Sequence, residues 1–72
     1  MDDKQLFSGV GERIRQLRAE RGISQQDLAA LCDFEKSNMS RIESGKTNLT
    51  LKNMYKICRA LGVRLSDLVD IE

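Results

Sequence analysis

The sequence predicts an all-α fold, a compact single domain of five short helices over residues 1–72. The chain contains no proline and no run of β-branched residues, so little in it interrupts a helix or favours a strand. Apolar residues recur at helical spacing, and serine, threonine and glycine stand where helices would begin and end. A chain of this length buries only a modest core.

The first helix is predicted from about Ser8 to Arg21. Gly22 follows directly and suits a left-handed C-terminal cap. We expect residues 1–6, which are mostly polar, to be flexible. The apolar residues that define the buried face recur at helical spacing; they are Phe7, Val10, Ile14 and Leu17.

The second and third helices are predicted to form a helix-turn-helix unit over about residues 24–44. The second helix opens at Ser24, where Ser24-Gln-Gln-Asp27 is close to a capping box. The third spans roughly Glu35 to Ser44. A connection of about three residues between two helices is typical of this motif.

The fourth and fifth helices complete the predicted fold. Thr50 caps the fourth helix, which ends at Leu61 and is closed by Gly62. A short fifth helix over residues 65–70 adds Leu68 to the core. The buried stripe of the fourth helix is expected to be Leu51, Met54, Ile57, Cys58 and Leu61.

The net charge of +1 is uninformative, but the charges are unevenly distributed. Between residues 36 and 59 the chain has six basic residues and a single acid, Glu43. Such a segment can offer a cationic face to phosphates. An ordinary solvated helix surface is the alternative interpretation.

Composition argues against several other classes of protein. The sequence has no histidine and only two cysteines, Cys32 and Cys58, so neither a zinc site nor a disulfide framework is expected. Both cysteines occupy apolar helical positions and are interpreted as small buried hydrophobes. We expect no enzymatic activity, cofactor or small-molecule ligand, since no activated nucleophile is evident. No apolar run approaches the roughly 18 residues of a membrane span, and the first residues are polar, which favours a cytoplasmic location.

The predicted third helix divides into two faces. Met39 and Ile42 lie on one side, and the residues opposite are small, polar or basic. Arginine and lysine donate to guanine O6 and N7 in the major groove. The pattern also fits any amphipathic helix, and both interpretations stay open at this point. The outward residues span an arc of about 140°; they are Lys36, Ser37, Ser40, Arg41 and Ser44.

Three motifs together resemble the Cro and phage-repressor helix-turn-helix family. They are Ile23-Ser-Gln-Gln-Asp-Leu-Ala29, Ser37-Asn-Met-Ser-Arg-Ile-Glu-Ser-Gly-Lys46 and Leu61-Gly-Val-Arg-Leu-Ser-Asp-Leu68. The likeness extends over residues 11–70. It implies a lambda-repressor-like fold and a transcriptional regulator that binds double-stranded DNA with the helix over residues 35–44.

The resemblance also implies residue roles. It implies that Lys36, Ser37 and Arg41 contact the DNA bases. It also implies a salt bridge between Arg18 and Glu43. The residues it implies for contacts to the DNA backbone are Gln25, Asn38, Lys46, Thr47 and Asn48. A protein-interaction module, such as an antitoxin-like partner that kept this fold, is the alternative. Lys36 and Arg41 on a serine-lined face argue against it, because protein-binding faces are more apolar or aromatic.

Three positions depart from the family pattern. Glu35 stands where relatives usually have serine or threonine, and glutamate is a poor N-cap that would also repel a phosphate. Leu49 replaces a common proline. Leu31 is expected to point outward, as an isolated exposed leucine or as part of a contact surface.

A homodimer is expected because one small helix buries too little surface for tight, specific binding. The resemblance extends to stand-alone Cro and restriction-modification controller proteins, which dimerise within this domain. The expected interface is the apolar set near the C-terminus, Val63, Leu65, Val69 and Ile71.

Overall fold

The computed structural model describes residues 1–71, which form five α-helices and no strand. The prediction of an all-α fold with five helices is therefore confirmed. The helices are α1 (Asp3–Glu20), α2 (Gln25–Cys32), α3 (Lys36–Glu43), α4 (Leu51–Leu61) and α5 (Leu65–Leu68).

Helix α1 begins five residues earlier than the sequence analysis placed it, so the predicted start at Ser8 was wrong. Asp2 and Gln5 form a capping box at this end. The Asp2 carboxylate accepts the Gln5 backbone N–H at 2.7 Å, and the Gln5 side chain accepts the Asp2 N–H at 3.0 Å. These bonds satisfy two N–H groups that would otherwise lack a partner at a helix end. Residues 3–6, expected to be flexible, are the first turn of α1.

The other helix ends follow their caps more closely. Ser24 Oγ accepts the Asp27 N–H at 3.0 Å, and Thr50 Oγ1 accepts the Asn53 N–H at 3.1 Å. Gly62 closes α4 in the left-handed region, with φ of 71°. Helix α4 has the predicted bounds, whereas α5 stops at Leu68, two residues before the predicted end.

The turn between α2 and α3 is made by a residue that the sequence analysis did not single out. Asp33 is left-handed, with φ of 59°, and is the C-cap of α2. Aspartate tolerates this conformation better than most residues. Only two further residues, Phe34 and Glu35, then separate Asp33 from the first residue of α3.

All five helices contribute to the core. Of the predicted members, Leu51 is instead 67% exposed, and Phe7 and Met54 are only half-buried. Leu51 is the first residue of α4, and because helical side chains lean toward the N-terminus, its side chain projects past the end of the core. The buried apolar residues are Val10, Ile14, Leu17, Leu28, Ala29, Cys32, Met39, Ile42, Ile57, Cys58, Leu61 and Leu68. Among residues 1–71 no helix has the length and apolar character to cross a membrane.

Helix α1 crosses the C-terminal end of α3 at very close range. A Cβ atom added at Gly11 would lie 2.5 Å from the Glu43 carbonyl oxygen and 2.7 Å from that of Ile42. Gly45, which follows α3 with φ of 74°, would bring a Cβ within 2.6 Å of the Ser8 Cα. Two glycines thus let the backbones of α1 and of the α3 end touch.

We predict that Gly11→Ala destabilises the protein although alanine is the better helix former. The propensity gain is about 1 kcal/mol, but the new methyl meets backbone that cannot rotate away, and overpacking of this kind costs about 1–3 kcal/mol. Urea unfolding followed by circular dichroism should give a lower midpoint for the variant.

Gly9→Ala is the matched control, because it lies two residues away in the same helix. The three atoms nearest to its added Cβ would all belong to the Ile71 side chain, the closest at 3.2 Å, so a side chain and not backbone would have to shift. Its midpoint should equal or exceed that of the unchanged protein. A Gly11→Ala midpoint at or above the unchanged value would contradict the close backbone packing.

Candidate nucleic-acid interface

Helix α3 buries its apolar side and exposes its polar side. Met39 and Ile42 are buried. The opposite face is open to solvent and matches the predicted outward set, Lys36, Ser37, Ser40, Arg41 and Ser44. The small serines leave the helix backbone accessible between two long basic side chains.

A buried ion pair holds the end of α3 against α1. The Glu43 side chain is only 2% exposed. Arg18 Nε donates to Glu43 Oε2 and Arg18 Nη2 to Glu43 Oε1, both at 2.9 Å. The predicted pair is therefore present and bidentate, the geometry in which a guanidinium binds a carboxylate best. Arg18 Nη1 also donates to the Ile23 carbonyl at 3.1 Å, which ties the start of the helix-turn-helix to the same arginine.

Gln25 adds a third hydrogen bond to this carboxylate. Its Nε2 donates to Glu43 Oε1 at 3.1 Å. Gln25 was expected at a DNA phosphate, and its bond to Glu43 was not predicted, because no sequence pattern relates position 25 to position 43. The carboxylate therefore links α1, the start of α2 and the end of α3.

The loop after α3 places a short polar segment beside that helix. The Lys46 N–H donates to the Arg41 carbonyl at 3.0 Å, which closes the end of α3. Lys46 and Asn48 are exposed, and Thr47 is half-buried. Thr47 and Asn48 also border an apolar cavity of about 210 Å³ whose lining includes Leu6 and Val69.

The N-terminal end of α3 carries two exposed carboxylates, Asp33 and Glu35. Glu35 is the N-cap, with extended backbone at φ −67° and ψ 147°, and its side chain makes no capping hydrogen bond. The poor cap expected from the sequence is therefore observed. An open cleft here is lined by Asp33, Phe34, Glu35, Ser37, Asn38 and Arg41.

The two cysteines are buried parts of the core. Burial raises the pKa of the Cys32 thiol, an effect that the nearby Lys56 charge partly offsets. Burial also raises the pKa of Cys58, and the Asp67 carboxylate raises it further. Both thiols are therefore protonated at neutral pH and poorly reactive. Over residues 1–71 no three metal-binding side chains come together.

Two consecutive helices joined by three residues, with a small polar and basic face on the second, are typical of a DNA-reading unit. The Cro/C1-type HTH DNA-binding domain family matches residues 13–72 of this chain. The chain belongs to this family. It is a helix-turn-helix regulator of transcription and not an enzyme.

Similar proteins in this Cro/C1-type family include two curated control proteins. C.BamHI from Bacillus amyloliquefaciens is 43% identical over 61 residues, covering 83% of this chain and 75% of that protein. C.MunI from Mycoplasma sp is 42% identical over 64 residues, covering 86% of each. The crystal structure of the restriction-modification controller protein C.AhdI from Aeromonas hydrophila superposes with a TM-score of 0.83 at 34% identity, covering 86% of this chain and 94% of that one.

The residues expected at a dimer interface are only partly available. Leu65 is 37% exposed and Val69 50% exposed. Val63 and Ile71 are half-buried and pack against the core. Of the residues predicted for the dimer interface, therefore, only Leu65 and Val69 are exposed on the surface.

Four further apolar side chains among residues 1–71 are exposed although the sequence did not predict them as surface: Met1, Leu6, Leu51 and Tyr55. Leu6 was assigned to a flexible segment and Leu51 to the core, so neither was considered as surface. Leu31 is exposed, as expected.

We predict that Glu35→Ser stabilises the protein. Serine can accept an N–H of the first turn of α3, and a good N-cap contributes about 1 kcal/mol. The free energy of unfolding from urea titration should rise accordingly. Glu35→Gln is the control, since it removes the charge without supplying a good cap. Its free energy of unfolding should not exceed that of the unchanged protein. Equal values for the two variants would contradict the uncapped state of α3.

Proposed function

We propose that this regulator binds a palindromic or pseudo-palindromic DNA operator as a homodimer, with α3 of each copy in the major groove. The observation that carries the proposal is the exposed basic and serine-rich face of α3, on a helix whose C-terminal end is anchored by the buried Glu43. The major groove admits one α-helix, and a face of small residues allows close approach to the base edges.

Arg41 and Lys36 are the proposed base-reading residues, with Ser37 beside them. Both long side chains lie on the exposed face, and arginine to guanine O6 and N7 is the commonest specific contact. Asn38 borders the same face and is proposed to reach the DNA backbone at its rim.

Backbone contacts are proposed at both ends of the helix-turn-helix. Lys46, Thr47 and Asn48 follow α3 and would hold one stretch of phosphates. Gln25 opens α2, where the helix N-terminus favours an anion. The Gln25 amide nitrogen carries two hydrogens, so its bond to Glu43 leaves one donor for a phosphate. Such contacts fix the register of the protein on the duplex but do not read the sequence.

The homodimer is proposed to form through a terminal patch made of Leu6, Leu65 and Val69, all exposed. Leu6 and Val69 line the same cavity, which makes the first turn of α1 continuous with the end of α5. Val63 and Ile71 would support this patch from beneath. Pairing of one patch with its two-fold copy would give the symmetry that a palindromic operator mirrors.

The regulated genes are proposed to belong to a restriction-modification system. The support is the naming of the similar proteins: C.BamHI and C.MunI are control proteins, and C.AhdI is a restriction-modification controller protein. The chain spans at least three quarters of each.

We predict different DNA-binding defects for Arg41→Ala and Lys46→Ala. Loss of a base-reading arginine should cost about 1–3 kcal/mol on the operator and relax specificity at one base pair. Loss of a phosphate-binding lysine should weaken all duplexes alike and reduce the salt slope by about one. Titration of operator and random duplexes at several salt concentrations measures both effects. A loss for Arg41→Ala that is equal on operator and random duplex would contradict its base-reading role.

We predict that Val69→Glu dissociates the dimer, because it places a charge in the terminal patch. Leu31→Glu is the matched control, since Leu31 is an exposed leucine of α2 that does not line the cavity beside the patch. Sedimentation equilibrium at micromolar concentration should give a monomer for the first variant and a dimer for the second. A dimer that survives Val69→Glu but not Leu31→Glu would place the interface on α2 instead.

A further inference from the structure

The proposed DNA face includes a carboxylate that none of the proposed contacts uses. Glu35 is exposed at the N-terminal end of α3. A carboxylate beside the phosphate backbone is repelled by it, so this position cannot serve the phosphate contact that serine or threonine would make. Its presence on the surface that approaches DNA therefore needs another explanation.

No contact within the described chain accounts for Glu35. Its side chain does not cap α3, and the ion pairs found among residues 1–71 join Arg18 to Glu43 and Arg21 to Glu20. Glu35 therefore does not stabilise the fold through a cap or a salt bridge. Its two oxygens are available to a molecule that approaches α3.

The cleft beside Glu35 connects it to the base-reading residues. Glu35 lines this cleft together with Ser37, Asn38 and Arg41. The N-terminal residues of a helix in the major groove are the ones that reach base edges. In such a docking, a carboxylate at this place would lie near the base pairs that Arg41 is proposed to read.

We propose that Glu35 is a specificity-determining residue that accepts a hydrogen bond from the N4 amino group of a cytosine beside the base pair read by Arg41. The inference rests on the proposed function. Glutamate accepting from cytosine N4 is one of the side-chain pairings that the major groove allows.

The chemistry of the other bases favours cytosine. Guanine O6 and thymine O4 are acceptors and repel a carboxylate. Adenine offers an N6 amino group, but its N7 acceptor lies beside it, whereas the cytosine amino group is flanked on its own ring by a C–H. One carboxylate therefore attracts cytosine and disfavours the alternatives, which is how specificity often arises.

Asp33 provides a matched comparison. It lines the same cleft and carries the same charge, but it is the left-handed C-cap of α2 and has a side chain one carbon shorter. Asp33→Asn keeps a residue that tolerates this backbone conformation. Removal of either charge should strengthen binding to random duplexes, because both lie near phosphates, but only Glu35 should affect base preference.

The test is selection of bound duplexes from a random pool, at one stated salt concentration, with the unchanged protein, Glu35→Gln and Asp33→Asn. The unchanged protein should enrich a cytosine at one position of each half-site. Glu35→Gln should lose roughly tenfold of that preference, the size of a typical single-base discrimination, and keep the guanine read by Arg41. Asp33→Asn should keep both.

Two results would overturn the proposal separately from the proposed function. Glu35→Gln could leave the base preference unaltered and bind every duplex more tightly. That result would show that Glu35 acts only as a surface charge that repels DNA. Equal loss of the cytosine preference in Asp33→Asn would assign the effect to general charge. If the unchanged protein enriched no consensus at all, the proposed function itself would fail and this inference with it.

Discussion

The position of α3 depends on one buried carboxylate. Glu43 accepts two hydrogen bonds from Arg18 and one from Gln25, so three helices meet at a single side chain. A buried charge is costly unless it is paired and fully hydrogen-bonded, and any rotation of α3 would break this geometry. The pair therefore selects one orientation of α3 among those that its two buried apolar residues alone would permit.

The close packing around Glu43 also restricts α3 to one orientation. Because Gly11 and Gly45 let α1 touch the end of α3, the C-terminal half of that helix has little freedom to shift. Its N-terminal half is less constrained, since Glu35 does not cap it. Arg41 lies in the fixed half, which suits its proposed contact to a base edge, because such contacts must be positioned within fractions of an ångström.

Much of this arrangement could be predicted from the sequence because the signals are local. The spacing of apolar residues and the caps at Ser24 and Thr50 predicted the bounds of α2 and α4 to within about a residue. The start of α1 was missed although Asp2-x-x-Gln5 is itself a local signal. The bond from Gln25 to Glu43 could not be predicted, since it depends on how α2 packs on α3. The exposure of Leu51 likewise depends on where the neighbouring helices end.

The most direct test of this account is a double-mutant cycle on the ion pair. Urea unfolding of the unchanged protein, Arg18→Met, Glu43→Leu and the double variant gives the coupling free energy. Since removal of one partner strands the other charge while removal of both leaves an apolar contact, the account predicts a coupling of about 1–3 kcal/mol, with the double variant more stable than Arg18→Met alone. Effects that simply add to within about 0.5 kcal/mol would contradict the claim that this pair holds α3 in place.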